Sequence, residues 1–381
     1  MKEHALYINT YANRTQHEMF NRILLKALML HFTVSVYSGK SSWKKMKEEL
    51  GENTFQNTKI RTFFLPEGAS AFPNLIRYVL SAIYNIGILL SSKKKDILIY
   101  NFNNPLSIAT INALNVLLKR KIIVFCHGEL ELLITNEGGA LAKLLRFFVR
   151  RFFLNKKRLL HLQFCVLGDV IIQNLKPIIG DKTNNFFSID HPYEFENNNP
   201  SNSKNLNQIL KIGTVGTLSK FKGLDHFLEL AKSIKVQNLN VNLSVVGSVT
   251  DKKEEFENLG VQIHGKGELL KREDFDREIA NLDYILFFYA NDKYKVTASG
   301  AVFDAIKWRK PIIALKNDYF SYLFEKYGTI GFLCENISEM EQNIKLCLEN
   351  QKLYTFDNYL EKLSTEEFSR CLYKKLKAKN I

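Results

Sequence analysis

Two stretches of alternating strand-like and helix-like sequence, separated by a polar linker, constrain the fold of this chain more than any other feature. In the first stretch, apolar runs of strand length at 96–100 and 121–126 flank a segment of helical periodicity at 105–118. Continuous apolar runs are typical of parallel strands that are buried on both faces. The second stretch repeats the alternation, with strands predicted at 210–215, 241–246, 261–265, 284–288 and 311–314. The pattern predicts an α/β fold with two Rossmann-like, doubly wound parallel-sheet domains.

The linker gives the predicted domain boundaries. Residues 196–208 are rich in asparagine and contain Pro200, a composition that is typical of a connecting segment. We therefore expect an N-terminal domain over 1–195 and a C-terminal domain over 209–355. Ligands of doubly wound sheets bind beyond the carboxyl ends of the strands, so the predicted site is a central cleft that both domains face.

Composition excludes several classes of protein. With 46% hydrophobic and 24% charged residues, the chain has the mix of a globular protein and not that of a disordered one. The five cysteines are scattered without a CxxC pair, which argues against a disulfide scaffold and a zinc site. The N-terminus lacks the apolar region of a signal peptide, and the most apolar window, 72–90, is interrupted by Arg77, Asn74 and Asn85. We expect a cytoplasmic protein that is not integral to a membrane.

The charge is unevenly distributed along the chain. The net charge is +14, and residues 1–200 hold 26 basic against 15 acidic residues, whereas 201–381 hold 27 against 24. A positive field in the first half indicates an anionic partner there. Within that half, basic and aromatic residues alternate along the segment 141–160. This pattern is typical of a helix that lies at an anionic membrane surface. The alternative for 141–160 is a helix that packs in the core and leaves a basic face in solvent.

A turn that contains glycines and lysines is the strongest local signal of a binding site. Gly216, Thr217 and Lys222 lie between the strand at 210–215 and a helix predicted at 223–234. Glycines allow the backbone to approach a ligand, and a lysine in such a turn can neutralise a diphosphate. The order of residues is not that of a Walker A loop. An ordinary turn with solvated lysines is the alternative.

A second candidate phosphate site lies at the start of a helix that follows the strand at 284–288. Ser299 and Gly300 would begin this helix and offer free N–H groups to an anion. Asp304, one turn further on, could accept a hydrogen bond from a sugar hydroxyl. The alternative is a capped structural helix with a surface aspartate.

Together, the two segments resemble the C-terminal domain of retaining GT-B glycosyltransferases, in particular glycosyltransferase family four. That family has a G-R-L-x-x-x-K-G turn and a second motif with two glutamates eight positions apart, followed by Gly-x-Pro-Val. The matching residues here are Gly216, Leu218, Lys222, Gly223, Asp304, Ala305, Pro311 and Ile312. Thr217 stands at the arginine of the first motif, and Val296 stands at the first glutamate of the second.

The resemblance implies roles for these residues. Lys222 would hold the diphosphate of a nucleotide-sugar donor and Asp304 its ribose, while the backbone at Ser299 and Gly300 would contact the phosphates. The resemblance further implies a GT-B architecture, retention of the anomeric configuration, and no need for a metal or another cofactor. The C-terminal helix, 356–381, would pack back on the first domain.

His127 is the predicted catalytic residue of the N-terminal half, and Lys222 is that of the C-terminal half. His127 directly follows the apolar run 121–126, and similar glycosyltransferases place a histidine in this region near the reacting sugar. Glu129 and His17 are predicted on the acceptor side. A hydrogen-bonded structural histidine and a solvated helix face are the alternatives for His127 and His17.

These features predict a glycosyltransferase, of the hexosyl type, that moves a sugar from a nucleotide-diphosphate donor to a hydroxyl of a glycan or lipid-linked glycan in cell-surface polysaccharide synthesis. The protein would work at the inner face of the cytoplasmic membrane, with 141–160 in peripheral contact. Two other classes remain open. A GT-B-fold sugar-nucleotide epimerase would need no acceptor, and a basic nucleic-acid-binding protein would need a module that the sequence does not display.

Overall fold

The computed structural model describes the chain except for residues 1, 14–16, 57, 69, 156–158, 160, 196–208, 266–269, 290–293, 351, 380 and 381. The predicted linker and part of the segment 141–160 therefore lie outside the described residues. The chain divides into two compact units. Unit 1 consists of Met1–Glu194, Val296–Ala298 and Leu363–Ile381, and unit 2 consists of Phe195–Lys295 and Ser299–Lys362.

Unit 1 is built on a parallel sheet of seven described strands. In chain order they are β1 (His4–Asn9), β2 (Thr33–Gly39), β3 (Lys59–Phe63), β4 (Ile97–Tyr100), β5 (Lys121–Phe125), β6 (Leu162–Val166) and β7 (Phe186–Ser188). Their spatial order is β3-β2-β1-β4-β5-β6-β7. The order reverses between β1 and β4, which pair from Ala5 with Ile97 to Ile8 with Tyr100. Doubly wound sheets bind ligands at such a topological switch point.

Helices connect the strands of unit 1 and cover both faces of its sheet. Among the described residues they are α1 (Glu18–His31), α2 (Lys40–Leu50), α3 (Ala71–Ser91), α4 (Ile108–Leu118), α5 (Ala140–Phe153) and α6 (Asp169–Ile179). Parallel crossovers are right-handed, so α1 and α2 cover one face and α3 to α6 cover the other. The strands between these two layers are apolar because both of their faces are buried, and no residue of β4 is more than 2% exposed.

Unit 2 contains a parallel sheet of six described strands in the order β10-β9-β8-β11-β12-β13. They are β8 (Leu210–Leu218), β9 (Val241–Val249), β10 (Gln262–Ile263), β11 (Tyr284–Phe287), β12 (Ile312–Leu315) and β13 (Gly331–Cys334). Its described helices are α7 (Leu224–Val236), α8 (Lys253–Asn258), α9 (Arg272–Ala280), α10 (Ala301–Lys307), α11 (Asp318–Tyr327), α12 (Ile337–Glu349) and α13 (Asp357–Lys362). The order of strands reverses between β8 and β11, which pair through Ile212 and Tyr284. The switch point of this sheet therefore lies beside the turn that follows β8.

The last helix, α14 (Thr365–Ala378), belongs to unit 1. Its side chains Phe368, Leu372 and Leu376 are at most 3% exposed and share a hydrophobic cluster with Phe20 and Leu24 of α1. Truncating a buried leucine to alanine typically costs about 2–5 kcal/mol. The helix is therefore part of the core of unit 1.

The predicted fold class is confirmed, since both units are parallel-sheet α/β domains. Sequence analysis missed two strands, β3 and β13, which both lie at sheet edges. In β3, Lys59, Arg61 and Thr62 are exposed. An edge strand with solvated positions lacks the continuous apolar run that identifies a central parallel strand.

The apolar window 72–90 forms α3, whose polar residues Arg77, Ser81 and Asn85 are buried. Among the described residues, α3 is the one helix that is long and apolar enough to cross a membrane by length and composition. This result differs from the sequence prediction that the window falls short of a span. It is weak evidence for a span, because the core helix of a protein without any membrane segment passes the same test.

Candidate active site

Close packing holds the glycine- and lysine-containing turn of unit 2. After β8, a 3₁₀ turn spans Lys220–Lys222, and Gly223 then precedes α7 with a φ of +79°. A Cβ atom on Gly223 would lie 2.3 Å from the carbonyl oxygen of Phe288, so only glycine fits both the left-handed backbone and this contact. Gly216 also has a positive φ, +85°, and Nζ of Lys222 lies 4.0 Å from the position its Cβ would take. The turn therefore places the Lys222 ammonium beside the backbone of Gly216.

Lys222 and Asp304 form a charged centre in unit 2. Burial lowers the pKa of the Lys222 ammonium, and the nearby Asp304 carboxylate acts in the opposite direction. Asp304 lies on α10 and is only 9% exposed. Charges that are partly shielded from water interact more strongly with a bound ligand than solvated charges do. The pair suits a ligand that carries both phosphate and hydroxyl groups.

Arg272 is a third charged residue of this centre, and sequence analysis missed it. Its Nη2 lies 2.8 Å from Oδ1 of Asp304 and 2.8 Å from Oδ1 of Asp276. The side chain of Arg272 is 48% exposed, so the guanidinium remains open to solvent and to a ligand. Arg272 begins α9 and Asp304 lies on α10, so no local motif predicts the pair and only the fold brings it together.

The other predicted donor contacts are arranged less directly. Helix α10 begins at Ala301, after the exposed Gly300, and has seven residues, which limits its dipole. Ser299 is buried, and its Oγ lies 3.4 Å from the hydroxyl of Tyr289. Thr217 accepts a hydrogen bond from the Ser248 hydroxyl at 3.2 Å. The side chains of Ser299 and Thr217 thus bond to neighbours within unit 2.

In unit 1, His127 follows β5 near the topological switch point of the sheet. Its side chain is buried, Nε2 lies 3.0 Å from the carbonyl oxygen of Asn101, and the ring stacks on the exposed His17 with centroids 4.4 Å apart. Because a carbonyl oxygen only accepts, Nε2 carries the hydrogen, and Nδ1 of the neutral ring is an acceptor. Burial, together with the neighbouring His17, lowers the pKa of His127 well below its ordinary value. His127 is therefore neutral at pH 7 and suited to orient a hydroxyl group.

Glu129 is a buried carboxyl group beside His127. It lies in the 3₁₀ turn Glu129–Leu133, and its Oε2 accepts a hydrogen bond of 3.0 Å from the backbone N–H of His127. Burial raises the pKa of Glu129 to about 7, although Cys126 and Asn103 beside it act in the opposite direction. The carboxyl is consequently part protonated at neutral pH, and it can donate as well as accept a hydrogen bond.

Glu131 is a further buried carboxyl group of this turn, and sequence analysis did not select it. Its Oε1 accepts a hydrogen bond of 2.7 Å from the backbone N–H of Val296, while the Thr297 hydroxyl donates to the carbonyl oxygen of His127 at 2.9 Å. Val296 and Thr297 belong to unit 1 despite their distance in sequence. Their hydrogen bonds fix the position of His127 and of the turn that contains Glu129. The signal that could have found Glu131 is the pair of glutamates that lie two and four residues after His127.

The basic segment 141–160 forms α5 as far as Phe153, and one side of this helix packs in the core. Phe152 and Phe153 are at most 4% exposed, and Arg146 and Arg150 donate to backbone carbonyl groups of 132–137. A surface cavity of about 480 Å³ is lined by Lys143, Arg146, Phe147, Arg150 and Arg151. The other side of α5 faces solvent, with Lys143, Leu144, Phe147 and Arg151 exposed. Lys156, Lys157 and Arg158 lie outside the described residues.

The predicted residues thus fall into two groups. Unit 2 brings together Gly216, Lys222 and Asp304, and unit 1 brings together His17, His127 and Glu129. In the ranges that the structure describes, no three His, Cys, Asp or Glu side chains are placed to hold a metal ion.

Comparison with known sequences gives a weak likeness to one glycosyltransferase. No protein-family model matches the chain. An uncharacterised glycosyltransferase of Haemophilus influenzae is 27% identical over 195 residues, which are 49% of this chain and 52% of that protein. The chain therefore matches about half the length of this curated relative.

Comparison with solved structures identifies the fold. A TarM mutant from S. aureus, in complex with fondaparinux, alpha-GlcNAc-glycerol and UDP, has a TM-score of 0.63 at 12% identity, over 98% of this chain and 99% of TarM. WaaG, a glycosyltransferase involved in lipopolysaccharide biosynthesis, has a TM-score of 0.56 at 14% identity, over 94% and 95% of the two chains. A glycosyltransferase from Rickettsia africae has a TM-score of 0.64 at 13% identity, over 99% and 98%. At these identities the likeness shows the fold alone, which is the GT-B fold.

Proposed function

We propose that this protein is a glycosyltransferase that takes a sugar from a nucleotide-diphosphate donor and transfers it to a hydroxyl group of a glycan or lipid-linked glycan. The charged centre of unit 2 supports this proposal most, because Lys222, Arg272 and Asp304 meet there beside the Gly216 turn. Shielded cations suit a diphosphate, and a buried carboxylate suits the hydroxyl groups of a ribose. The GT-B fold and the weak likeness to a glycosyltransferase support the same class.

The proposed reaction breaks the bond between the anomeric carbon of the donor and the oxygen of its diphosphate. A new bond forms between that carbon and the acceptor oxygen, the acceptor hydroxyl releases its proton to solvent, and the nucleoside diphosphate leaves with an added negative charge. Lys222 would stabilise this charge because its ammonium is already in place and partly shielded from water. Asp304 would accept a hydrogen bond from the ribose, with Arg272 holding the carboxylate. The remaining donor contacts would come from Gly216, Thr217, Ser299 and Gly300.

We assign the acceptor to unit 1. His127 would orient the attacking hydroxyl through Nδ1, since its Nε2 is bonded to the carbonyl oxygen of Asn101. Glu129, which is part protonated near pH 7, and the exposed His17 would contact other hydroxyl groups of the acceptor. Retention of the anomeric configuration and independence of a metal also belong to this proposal, and they rest on the motif resemblance.

We also propose that the protein acts in the cytoplasm, at the inner face of the cytoplasmic membrane, in the synthesis of a cell-surface polysaccharide. The solvent-facing part of α5, with Lys143, Phe147 and Arg151, would supply an electrostatic contact with anionic lipids. A lipid-linked acceptor would account for the positive charge of the first half of the chain.

Thermal-shift measurements with UDP-, GDP-, CMP- and dTDP-sugars, with and without Mg²⁺, test the donor site. A ligand at about 100 times its Kd stabilises a protein by about 2.7 kcal/mol, so one nucleotide class should raise the melting temperature without Mg²⁺. Lys222→Ala and Asp304→Ala should each abolish the shift. The control Lys232→Ala removes a lysine from a surface ion pair of the same unit and should keep it. A donor shift that survives both site substitutions would contradict the proposal.

A further inference from the structure

Helices α3 and α4 of unit 1 carry an exposed apolar face that the proposed reaction does not use. The exposed apolar side chains of α3 are Phe72, Val79, Ile83 and Leu90, at 72%, 43%, 59% and 57%. Their spacing of seven, four and seven residues places them in one stripe along the helix. On the neighbouring α4, Val116 and Leu117 are 41% and 81% exposed. These six side chains constitute the α3–α4 face.

The apolar stripe of α3 faces outward because the opposite side of the helix is polar and bonded to the rest of unit 1. Thr10, directly after β1, is hydrogen-bonded to Ser81 at 3.0 Å and to Asn85 at 2.6 Å. Arg77 donates to the carbonyl oxygen of Gly68 at 3.0 Å. Rotating the helix to hide the stripe would break these buried hydrogen bonds, each of which is costly to leave unmade. The exposed stripe is therefore dictated by the sequence of α3.

Lysines border one end of the α3–α4 face. The exposed Lys93–Lys95 follow α3, and the exposed Lys119 follows α4. Arg120 ties the two helix ends together, since its Nε donates to the Ser92 hydroxyl at 3.2 Å and its Nη2 donates to the Ser92 carbonyl oxygen at 2.9 Å. Four ammonium groups thus lie next to the exposed leucines at the ends of both helices.

We propose that the α3–α4 face docks on an anionic lipid membrane. Apolar side chains of an amphipathic surface enter the boundary of the acyl chains, while lysines at its border meet the phosphate groups of the lipids. A contiguous apolar surface marks an interaction site in general, and the lysines select an anionic partner. A second copy of the chain would also carry a net charge of +14, and like charges across an interface repel. This docking goes beyond the proposed glycosyl transfer and does not depend on it.

Co-sedimentation of the full chain with vesicles tests the proposal. The chain should bind vesicles of an equal mixture of phosphatidylcholine and phosphatidylglycerol, bind phosphatidylcholine alone far less, and lose affinity as salt is raised. The triple variant Ile83→Gln, Leu90→Gln, Leu117→Gln should lower the partition coefficient at least about tenfold, because it removes apolar side chains from the lipid boundary. The triple variant Lys93→Glu, Lys94→Glu, Lys95→Glu should lower it by about fivefold or more for each lysine.

The double variant Val236→Gln, Leu353→Gln is the matched control, because these side chains of unit 2 are 85% and 83% exposed. It should bind vesicles as the parent chain does. The donor-induced thermal shift, measured on the same samples, reports separately on the proposed function, so a failure of either proposal is visible on its own. Equal vesicle binding by the parent and the glutamine face variant would overturn the docking proposal. A parent dimer that does not bind vesicles and becomes a monomer in that variant would overturn it as well.

Discussion

Arg272 donates a hydrogen bond of 2.8 Å from its Nη2 to Oδ1 of Asp304. The same guanidinium contacts Asp276, whose Oδ2 accepts a hydrogen bond of 3.0 Å from Lys307. Helices α9 and α10 are therefore joined by a charged network that ends at the carboxylate proposed to bind the ribose. This network makes Arg272 a positioning residue for Asp304 in addition to a positive charge at the donor site.

Replacing Arg272 with alanine should weaken donor binding about fivefold. The side chain is half exposed, and a solvent-screened ion pair of this kind contributes up to about 1 kcal/mol. Calorimetric titration with the donor found by the thermal-shift screen measures the change. Arg277→Ala is the matched control, because Arg277 lies on the same helix and pairs with Asp274 at the surface. Equal donor affinity for the two variants would contradict the positioning role.

Replacing Gly223 with alanine should destabilise unit 2 by about 2–4 kcal/mol, since the new Cβ would meet the Phe288 carbonyl and the residue would keep a positive φ. The control Gly260→Ala separates the cost of the contact with Phe288 from the cost of the positive φ. Gly260 has the same φ of +79° but has nothing within 4 Å of a Cβ, so its replacement should cost only about 1 kcal/mol.

Urea unfolding measures both glycine variants through the fluorescence of Trp308. Each unit contains one of the two tryptophans, Trp43 in unit 1 and Trp308 in unit 2, so a Trp43→Phe background restricts the signal to unit 2. Equal losses of stability in the two glycine variants would show that the Phe288 contact contributes nothing.

The fold can be predicted from the sequence because strands that are buried on both faces of a sheet contain continuous runs of apolar residues. After their first residues, Asp96 and Lys121, the runs at 96–100 and 121–126 are apolar, and they form β4 and β5. At the sheet edge formed by β3, the apolar run is absent. Strand β3 contains solvent-exposed lysine, arginine and threonine, so a search for apolar runs does not detect it.

The candidate site was predictable only where its residues are local in sequence. Gly216, Lys222 and Gly223 lie within one turn, so their spacing alone indicates a binding loop. Arg272 reaches Asp304 only through the packing of α9 beside α10, and the contact of Glu131 with Val296 joins residues 165 positions apart. Contacts of this kind depend on tertiary structure, and no local pattern encodes them.

The contribution of Glu129 to the stability of unit 1 should fall as the pH rises from about 4.5 to about 7, because the pKa of Glu129 is raised from 4.5 to about 7 by burial. The folded state holds the proton more tightly than the unfolded chain. The contribution is therefore complete below the unfolded pKa and is lost as the pH rises through the folded pKa. The shift corresponds to about 3 kcal/mol.

Glu129→Gln should remove this part of the pH dependence, because the amide does not ionise. Urea unfolding at pH 5 and pH 8, followed by Trp43 in a Trp308→Phe background, gives the change in unfolding free energy for unit 1. The exposed Glu254→Gln is the control and should leave the difference between the two pH values as it is in the parent. If Glu129→Gln shows the same difference in unfolding free energy between the two pH values as the parent, Glu129 is not a buried, part-protonated carboxyl group.

Replacing His127 with alanine should lower kcat about 10–100-fold and leave donor affinity unchanged. The neutral ring is proposed to orient the acceptor hydroxyl through Nδ1, and the loss of one buried hydrogen bond costs about 1–3 kcal/mol. The donor contacts are assigned to residues of unit 2, so the Kd for the donor should not move.

Burial holds the pKa of His127 well below its ordinary value, so titration of this ring should not cause an inflection in kcat near pH 6.5. Any inflection that the parent shows near that pH should also be present in His127→Ala. His226→Ala, at an exposed histidine of α7, is the control. A parallel loss of donor affinity in His127→Ala would place this histidine with the donor instead of the acceptor, and an unchanged kcat would exclude it from the reaction.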